Sequence, residues 1–283
     1  MRVLIQNYSD TMTTQPMYLN QCFKITGTAQ THLWNVQDPI SAYDMLDRFS
    51  PDVFVTSYKT INKDIVKYLG QRKIPTVCDI SGADQETVSQ LDSMIESMFY
   101  ITENYSFLSD IKSKNKIHRL YPALDAFSIP RSLPEFTIPV ALICAKENED
   151  YNKYKEEYDS YHAINIAGQE EGFDLTENVA TLSSLYAHYD KVIICDDIKV
   201  VSSQIFFDSL IRSKSVFSKV PDAQKELFNE FLSTMFEEEE TDDLLGGVKR
   251  QVGKKHTCFN RASQLMELLG NQEAAQKLLE SVK

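Results

Sequence analysis

Two loops in the first half of the chain carry carboxylates directly after short apolar runs. Asp10 lies in the polar stretch Tyr8–Gln15, and Asp84 lies in the stretch Asp79–Gln85. If those runs are parallel strands, each loop follows the carboxyl end of a strand, where a carboxylate can remove a proton from a bound hydroxyl. We therefore predict Asp84 as a general base and Asp10 as a second catalytic residue. The alternative for Asp84 is the N-cap of the following helix.

Several other chemistries lack their motifs in this chain. It contains no G-x-G-x-x-G, no Walker A motif, no H-E-x-x-H and no G-x-S-x-G. Their absence argues against a dinucleotide oxidoreductase, a P-loop enzyme, a zincin and a serine hydrolase. The wide spacing of the cysteines favours buried, reduced thiols over a metal site. The five cysteines are Cys22, Cys78, Cys144, Cys195 and Cys258.

The chain is acidic, with a formal net charge of −12 over 283 residues. This charge argues against a broad nucleic-acid footprint. The basic pairs Lys249–Arg250 and Lys254–Lys255 are either a local phosphate contact or a solvated loop. No apolar run reaches the roughly 20 residues that a membrane-spanning helix needs, and the chain opens on a strand pattern rather than a leader. We expect a soluble protein of the cytoplasm, or of the host cytoplasm if it is viral.

The elements that must position the carboxylates follow from apolar runs that alternate with amphipathic segments, a pattern that predicts crossover connections and a parallel sheet. Ser41 is a predicted N-cap, with Asp44 three residues on. In the first half the predicted strands are Arg2–Asn7, Thr31–Val36, Asp52–Ser57, Ile74–Asp79, Met98–Thr102 and Ile117–Tyr121. The predicted helices are Pro16–Ile25, Ser41–Phe49, Asn62–Gln71, Gln85–Glu96 and Tyr105–Lys112.

A second α/β half follows a proline-rich stretch between residues 122 and 139, which predicts a linker. We predict a Rossmann-like domain over 1–125, a linker over 126–138, a second Rossmann-like domain over 139–255 and C-terminal helices over 256–283. The predicted strands are Ile138–Ala145, His162–Ala167, Lys191–Cys195 and Ser215–Lys219. The predicted helices are Asn148–Tyr158, Thr176–His188, Gln204–Arg212, Ala223–Phe236, Thr257–Leu269 and Glu273–Val282.

Two parallel-sheet domains joined by one linker predict a cleft that faces the carboxyl ends of both sheets, where ligands bind in such folds. We expect the working site there. The pattern fits glycosyltransferases, periplasmic-type binding proteins and some epimerases equally.

Three stretches resemble motifs of GT-B glycosyltransferases. Leu120–Pro130 resembles the V-x-P-N-x-x-D-x-x-x-F-x-P that ends the N-terminal domain, and Leu185–Ile194 with Phe206–Phe217 resembles the approach to the nucleotide-sugar site. His256–Arg261 resembles the H-T-x-x-x-R element of CgeB-type members. The chain is thus similar to CgeB-type and family 1- or 4-like glycosyltransferases. It departs from them at Val200, where retaining members often carry the first of two glutamates.

The resemblance implies that the N-terminal domain, 1–125, binds the acceptor and that the second domain, 139–255, binds the nucleotide sugar through a set of donor-binding residues. Basic residues near Lys146 and Lys153 hold the diphosphate in the family, and Asp208 is placed to accept hydrogen bonds from ribose or sugar hydroxyls. Gly168 lets a nucleotide approach the backbone, and Ser203 with Gln204 can reach phosphate. The alternatives are solvated lysines, an ordinary turn, a helix cap and an acid favoured by the helix dipole.

His256 and Arg261 are five residues apart, a spacing that does not place them on one helix face. His256 is predicted as a catalytic residue just before the helix that carries Arg261, and Arg261 as a donor-binding residue. The alternative for His256 is a structural histidine. The fold also implies that cations and helix N-termini, rather than a metal, stabilise the leaving group.

These observations predict a metal-independent glycosyltransferase, a hexosyl- or pentosyltransferase with no bound cofactor. It would use a nucleoside-diphosphate sugar, UDP-linked, as co-substrate. The acceptor is a surface glycan, a glycoprotein or a hydroxymethylated base of phage DNA, and a homodimer is left open. The alternatives are a non-catalytic nucleotide-sugar or carbohydrate-binding relative and a nucleotide-sugar epimerase.

Overall fold

The protein, studied as a computed structural model, divides into two compact units. The N-terminal unit comprises Met1–Asp10, Thr14–Tyr121 and Cys258–Lys283, and the second unit comprises Thr11–Thr13 and Pro122–Thr257. The structure describes residues 1–7, 15–35, 41–81, 83–94, 98–102, 111–120, 123, 138–144, 147–165, 174–175, 188–195, 215–218 and 253–281.

A parallel six-stranded sheet forms the centre of the N-terminal unit, in the order β2-β1-β3-β4-β5-β6. Its strands are β1 (Arg2–Asn7), β2 (Gln30–Asn35), β3 (Val53–Ser57), β4 (Thr76–Asp79), β5 (Met98–Thr102) and β6 (Ile117–Arg119). The strand order reverses between β1 and β3. In open α/β sheets a crevice forms at such a switch point, outside the carboxyl ends of the strands.

Helices cover both faces of this sheet. They are α1 (Gln15–Thr26), α2 (Ala42–Phe49), α3 (Lys63–Arg72) and α4 (Gln85–Met94). On one face Leu4, Trp34 and Phe54 form an apolar cluster with Leu46 of α2 and Leu69 of α3. On the other face α1 packs against β1 and β2. The side chains of a strand point alternately to the two faces of the sheet. Because both faces are buried, the strands are nearly continuous apolar runs in the sequence.

Side-chain caps define where two of these helices begin. The Ser41 hydroxyl accepts a hydrogen bond from Asp44 N at 3.2 Å and donates to the Asp44 carboxylate at 2.8 Å, as the sequence predicts. Asn62 Oδ1 accepts from Ile65 N at 2.9 Å at the start of α3. Each cap satisfies a backbone N–H that the first helical turn leaves unpaired.

The second unit contains a parallel five-stranded sheet in the order β11-β10-β7-β8-β9. Its strand order reverses between β7 and β10, so this sheet also has a switch point. The strands are β7 (Ile138–Cys144), β8 (His162–Asn165), β9 (Asp174–Leu175), β10 (Tyr189–Ile194) and β11 (Ser215–Ser218). Helix α5 (Glu149–Glu157) packs on β7, where Tyr151 joins an apolar cluster with Leu142 and Ile193.

Two further helices, α6 (Cys258–Leu268) and α7 (Gln272–Glu280), pack against each other and against α1. The buried Ser263 hydroxyl donates to Ala275 O at 2.9 Å and links the two. Gly270 adopts a φ of +76° in the short connection, a conformation that glycine reaches without steric cost. Asn271 caps α7 through a bond from Ala274 N at 3.1 Å.

The structure confirms the predicted α/β class with two parallel sheets and two helices that close the described chain. The short strand β9 was not predicted from the sequence. All five cysteines are buried and none of them forms a disulfide, as expected. Among the described residues, no helix is long and apolar enough to cross a membrane. The predicted helices Gln204–Arg212 and Ala223–Phe236, and most of Thr176–His188, lie outside the described residues.

One helix prediction was wrong at its end. Ile111 and Lys112, the described part of the predicted helix Tyr105–Lys112, are not helical. The Gln85 side chain takes both backbone groups of Lys112: its Oε1 accepts from Lys112 N at 2.7 Å, and its Nε2 donates to Lys112 O at 2.8 Å. These tertiary hydrogen bonds replace the helical ones.

Candidate functional site

Four polar residues lie at one level of the N-terminal sheet, where its strands end. Asn35 pairs in register with Asn7, and Ser57 pairs with Asp79. Ile5 pairs with Val55, so Asn7 and Ser57 reach the same level two residues further along their strands. We call Asn35, Asn7, Ser57 and Asp79 the polar row. Partner residues point to the same face, so the row crosses one face of the sheet at its carboxyl edge.

The polar row stands directly above an apolar layer. Two residues earlier in the same strands lie Leu33, Ile5, Val55 and Val77. Ile5, Val55 and Val77 have no exposed surface. The change from apolar to polar therefore occurs in a single step along the strands, at the switch point between β1 and β3. A sheet edge of this kind is where open α/β folds bind polar ligands.

The side chains of the polar row are partly fixed by hydrogen bonds. Asn7 Nδ2 donates to Asn35 Oδ1 at 2.8 Å, and Asp79 accepts from Ser81 N at 2.8 Å. Ser57 and Asp79 are buried. Asn7 Oδ1 is buried and lacks a hydrogen-bond partner in the structure as described. Native proteins leave few buried acceptors unpaired, so we expect a ligand to donate a hydrogen bond to this atom.

A buried amide holds the switch point rigid from the opposite face. Gln6 is 1% exposed, and its Oε1 accepts from the Thr56 hydroxyl and, at 2.9 Å, from the Thr60 hydroxyl. These bonds join the end of β1 to the end of β3 and to the loop after it. They fix the spacing between the two strands whose last residues, Asn7 and Ser57, belong to the polar row.

Asp84, predicted as the general base, caps helix α4. Its Oδ1 accepts from Thr87 N at 2.8 Å, and its side chain is exposed. Hydrogen bonds from the Thr87 side chain and backbone lower the pKa of Asp84. The N-cap alternative is thus observed, while the catalytic role of Asp84 stays a prediction.

Asp79, the residue that ends β4, was not predicted as a site residue from the sequence. The sequence does contain a signal for this role, because Asp79 ends the apolar run Ile74–Asp79. Asp84, in contrast, stands three residues before Thr87, at the spacing of an N-cap. The structure shows Asp79 buried at the sheet edge and Asp84 exposed beside the helix. Asp79 is therefore the carboxylate of this loop that lies in the polar row.

His256 precedes α6 and Arg261 lies within it, as the sequence predicts. Both side chains are buried, with exposed fractions of 6% and 2%. Arg261 Nη1 donates to Gln264 Oε1 at 3.2 Å. Lys153 is exposed on α5, and its ammonium lies 5.3 Å from the ring centroid of Tyr154. The structure thus shows where these three side chains lie, and the roles predicted for them stay predictions.

The switch point of the second unit is built from the ends of β7 and β10. Cys195 N donates to Ile143 O at 2.8 Å. Asn148, the N-cap of α5, accepts from Tyr151 N at 2.8 Å and donates through Nδ2 to Cys195 O at 3.1 Å. The start of α5 is therefore fastened to the residue that follows β10, a role for Asn148 that was not predicted from the sequence.

Six predicted site residues lie outside the described residues: Asp10, Lys146, Gly168, Ser203, Gln204 and Asp208. In sequence, Lys146 comes two residues after the end of β7. In the described part of the chain, no three His, Cys, Asp or Glu side chains come together in a way that could hold a metal ion.

Known structures share this architecture. The crystal structure of HepE from Anabaena, in complex with UDP and glucose, matches 95% of this chain and 99% of its own, with a TM-score of 0.55 and 10% sequence identity. The chain has a GT-B-type fold. At this identity the likeness extends to the fold alone. Neither a family model nor a curated sequence matches the chain.

Two other structures resemble this GT-B-type chain less closely. CalG4, the calicheamicin glycosyltransferase, matches 95% of the chain and 98% of its own, with a TM-score of 0.44 and 9% identity. UDP-N-acetylglucosamine 2-epimerase from Rickettsia bellii matches 96% of both chains, with a TM-score of 0.40 and 11% identity.

Proposed function

We propose that the protein is a glycosyltransferase that moves a sugar from a UDP-linked donor to an acceptor hydroxyl. The observation that carries this proposal is the GT-B-type fold, shared over nearly the whole length of both chains with a protein solved with UDP and glucose. The polar row at the switch point of the N-terminal sheet supports it, because the row offers hydrogen-bonding groups to a hydroxyl-bearing ligand.

In this reaction the acceptor oxygen attacks the anomeric carbon of the donor sugar. The bond from that carbon to the diphosphate oxygen breaks, and the nucleoside diphosphate leaves with the bonding electrons. A base takes the proton of the acceptor hydroxyl. We assign the base to Asp79 rather than Asp84, because Asp79 ends a strand in the polar row whereas Asp84 is committed to the α4 cap.

On the donor side, the proposal keeps the residues that the sequence predicts. The charge of the leaving diphosphate would be met by Lys146 and by the N-terminus of α5, which Asn148 holds against Cys195. Asp208 would accept hydrogen bonds from donor hydroxyls. The proposal includes no bound cofactor and no divalent ion.

A thermal-shift screen against UDP, GDP, ADP, TDP and their sugars, each with and without EDTA, tests the donor. A ligand at about 100 times its dissociation constant should stabilise the protein by about 2.7 kcal/mol. We expect a shift with UDP that EDTA leaves unchanged. If no nucleotide gives a shift, the protein does not bind a nucleotide sugar and the proposal fails.

Turnover separates a transferase from a binding protein of the same fold. Val200 occupies the position at which retaining relatives often carry a glutamate, which favours a non-catalytic relative as the second candidate. Release of UDP from a bound UDP-sugar upon addition of acceptor supports transfer. Donor binding without UDP release, across a panel of acceptors, supports the second candidate. Asp208→Asn should weaken donor binding in calorimetry in either case.

A further inference from the structure

The polar row is rich in hydrogen-bond acceptors and poor in cations. It contains the Asp79 carboxylate and the unpaired Asn7 Oδ1. The Ser57 hydroxyl accepts a long bond of 3.4 Å from Lys59 N. Lys59 itself contributes only this backbone group to the row, and its side chain is exposed in the loop after β3. A ligand that satisfies such a row must bring donors.

We infer that the polar row binds the hydroxyl groups of a neutral carbohydrate, which is the acceptor of the proposed transfer. This inference rests on the proposed function and names the acceptor class that the sequence leaves open. Two hydroxyls of one carbohydrate can donate to Asn7 Oδ1 and to Asp79, which lie two strands apart in the sheet, while their own oxygens accept from Ser57 or from an amide N–H.

An anionic acceptor fits this edge poorly. A phosphate or carboxylate brings acceptors only, so it leaves Asn7 Oδ1 unpaired, and it places a negative charge next to the buried carboxylate of Asp79. The phosphates that flank a modified DNA base would meet the same obstacle. The chemistry of the row therefore favours a saccharide over a nucleic acid.

The protein carries its own reporter for the folding of this sheet. Trp34 is its one tryptophan. It is 4% exposed, precedes Asn35 in β2, and pairs in register with Gln6 at the switch point. Because Trp34 pairs with Gln6, its side chain lies on the face opposite the polar row, where it packs with Leu4 and Phe54. Its emission therefore reports whether the sheet is folded, without any added label.

The test is a titration of the full chain, measured by calorimetry, with and without UDP. The probes are neutral disaccharides, the corresponding sugar phosphates and a duplex that contains 5-hydroxymethylcytosine. We expect at least one neutral disaccharide to bind. We also expect its affinity to fall about tenfold or more in Asn7→Ala and in the isosteric Asp79→Asn, because each loses a bond to the ligand. The control Gln30→Ala, at the exposed opposite end of β2, should bind as the wild type does.

Three results would overturn the inference: tighter binding of the phosphates or the duplex, no binding of any neutral disaccharide, or unchanged disaccharide affinity in both variants. Trp34 emission and circular dichroism establish that each variant is folded. The UDP titration separates this inference from the proposed function. UDP binding without carbohydrate binding refutes the inference alone. Carbohydrate binding without UDP binding supports a carbohydrate site at the row but refutes the transferase, and with it the role of that carbohydrate as acceptor.

Discussion

Asp92 joins three segments of the N-terminal unit, so its loss should weaken that unit measurably. It lies on α4, and its carboxylate accepts from Lys114 N at 2.7 Å, the Ser113 hydroxyl at 2.8 Å, the Tyr100 hydroxyl at 3.0 Å and Asn115 Nδ2 at 3.0 Å. Oδ2 takes the first of these bonds, and Oδ1 takes the other three. One carboxylate thus fastens α4 to β5 and to the segment before β6.

The different hydrogen bonds of the two Asp92 carboxylate oxygens predict how much stability each Asp92 variant loses. In Asp92→Asn the amide oxygen can replace Oδ1, but the NH₂ group then faces Lys114 N–H, so one bond to a charged acceptor is lost. Such bonds contribute about 1.5–3 kcal/mol each, so we expect a loss of about 2 kcal/mol. Asp92→Ala loses all four bonds. Because bonds that share an acceptor are not additive, we expect about 3–4 kcal/mol.

Urea denaturation followed by Trp34 fluorescence measures this loss, because Trp34 lies in the same sheet as Tyr100. With a slope of about 2 kcal/mol per molar urea, Asp92→Asn should lower the midpoint by about 1 M. The control is Glu86→Gln, which also replaces a carboxylate by an amide on the same helix. The Glu86 carboxylate accepts an exposed hydrogen bond of 3.3 Å from Gln90. Equal midpoints for the two variants would refute the reasoning.

The pH dependence gives a second check. Burial raises the pKa of Asp92 more than any other single cause, but hydrogen bonds from Lys114, Ser113, Tyr100 and Asn115 together lower it below its usual value. A lowered folded-state pKa means that the stabilisation is present above the unfolded-state pKa of about 3.9. It is lost as the pH falls through the folded-state value. The difference in the free energy of unfolding between wild type and Asp92→Asn should therefore have its full size at pH 7 and become smaller below about pH 4.

Three further predictions concern other contacts. Ser263→Ala should cost about 1 kcal/mol in urea denaturation, because it removes this buried hydrogen bond between α6 and α7; a smaller loss than for an exposed serine would contradict this. Gln6→Leu should cost about 1–3 kcal/mol, since the Thr56 and Thr60 hydroxyls lose their common acceptor. Asp84→Ala should lower the melting temperature while Asp84→Asn, an equally good cap, should not; if Asp84→Asn also abolishes sugar transfer, Asp84 rather than Asp79 is the base.

The strands and caps of the N-terminal sheet were predictable because their causes are local. The run Arg2–Asn7 is apolar in three consecutive positions and forms a strand with those bounds. Ser41, predicted to cap α2 from the acid three residues on, does so. Hydrophobic periodicity and helix capping depend on residues that are close in sequence, so both can be recognised in a single sequence.

The polar row was not predictable, because register is a long-range property. Asn7 and Ser57 are 50 residues apart in sequence, and only the pairing of β1 with β3 places them at one level. The same holds for Lys112, whose backbone is taken by a side chain 27 residues away. Burial of Arg261 also depends on tertiary packing, since its helix lies against α1 from the other end of the chain.

The return of α6 and α7 to the N-terminal unit makes the second unit an insertion within the first. During synthesis, β1 to β6 emerge early, but the helices that pack on α1 emerge only after some 136 residues of the inserted unit. The N-terminal unit is therefore the first to begin folding and the last to finish. A fragment that stops at Tyr121 lacks part of that unit's own packing, and removal of residues 258–283 should damage the amino-terminal end of the molecule first.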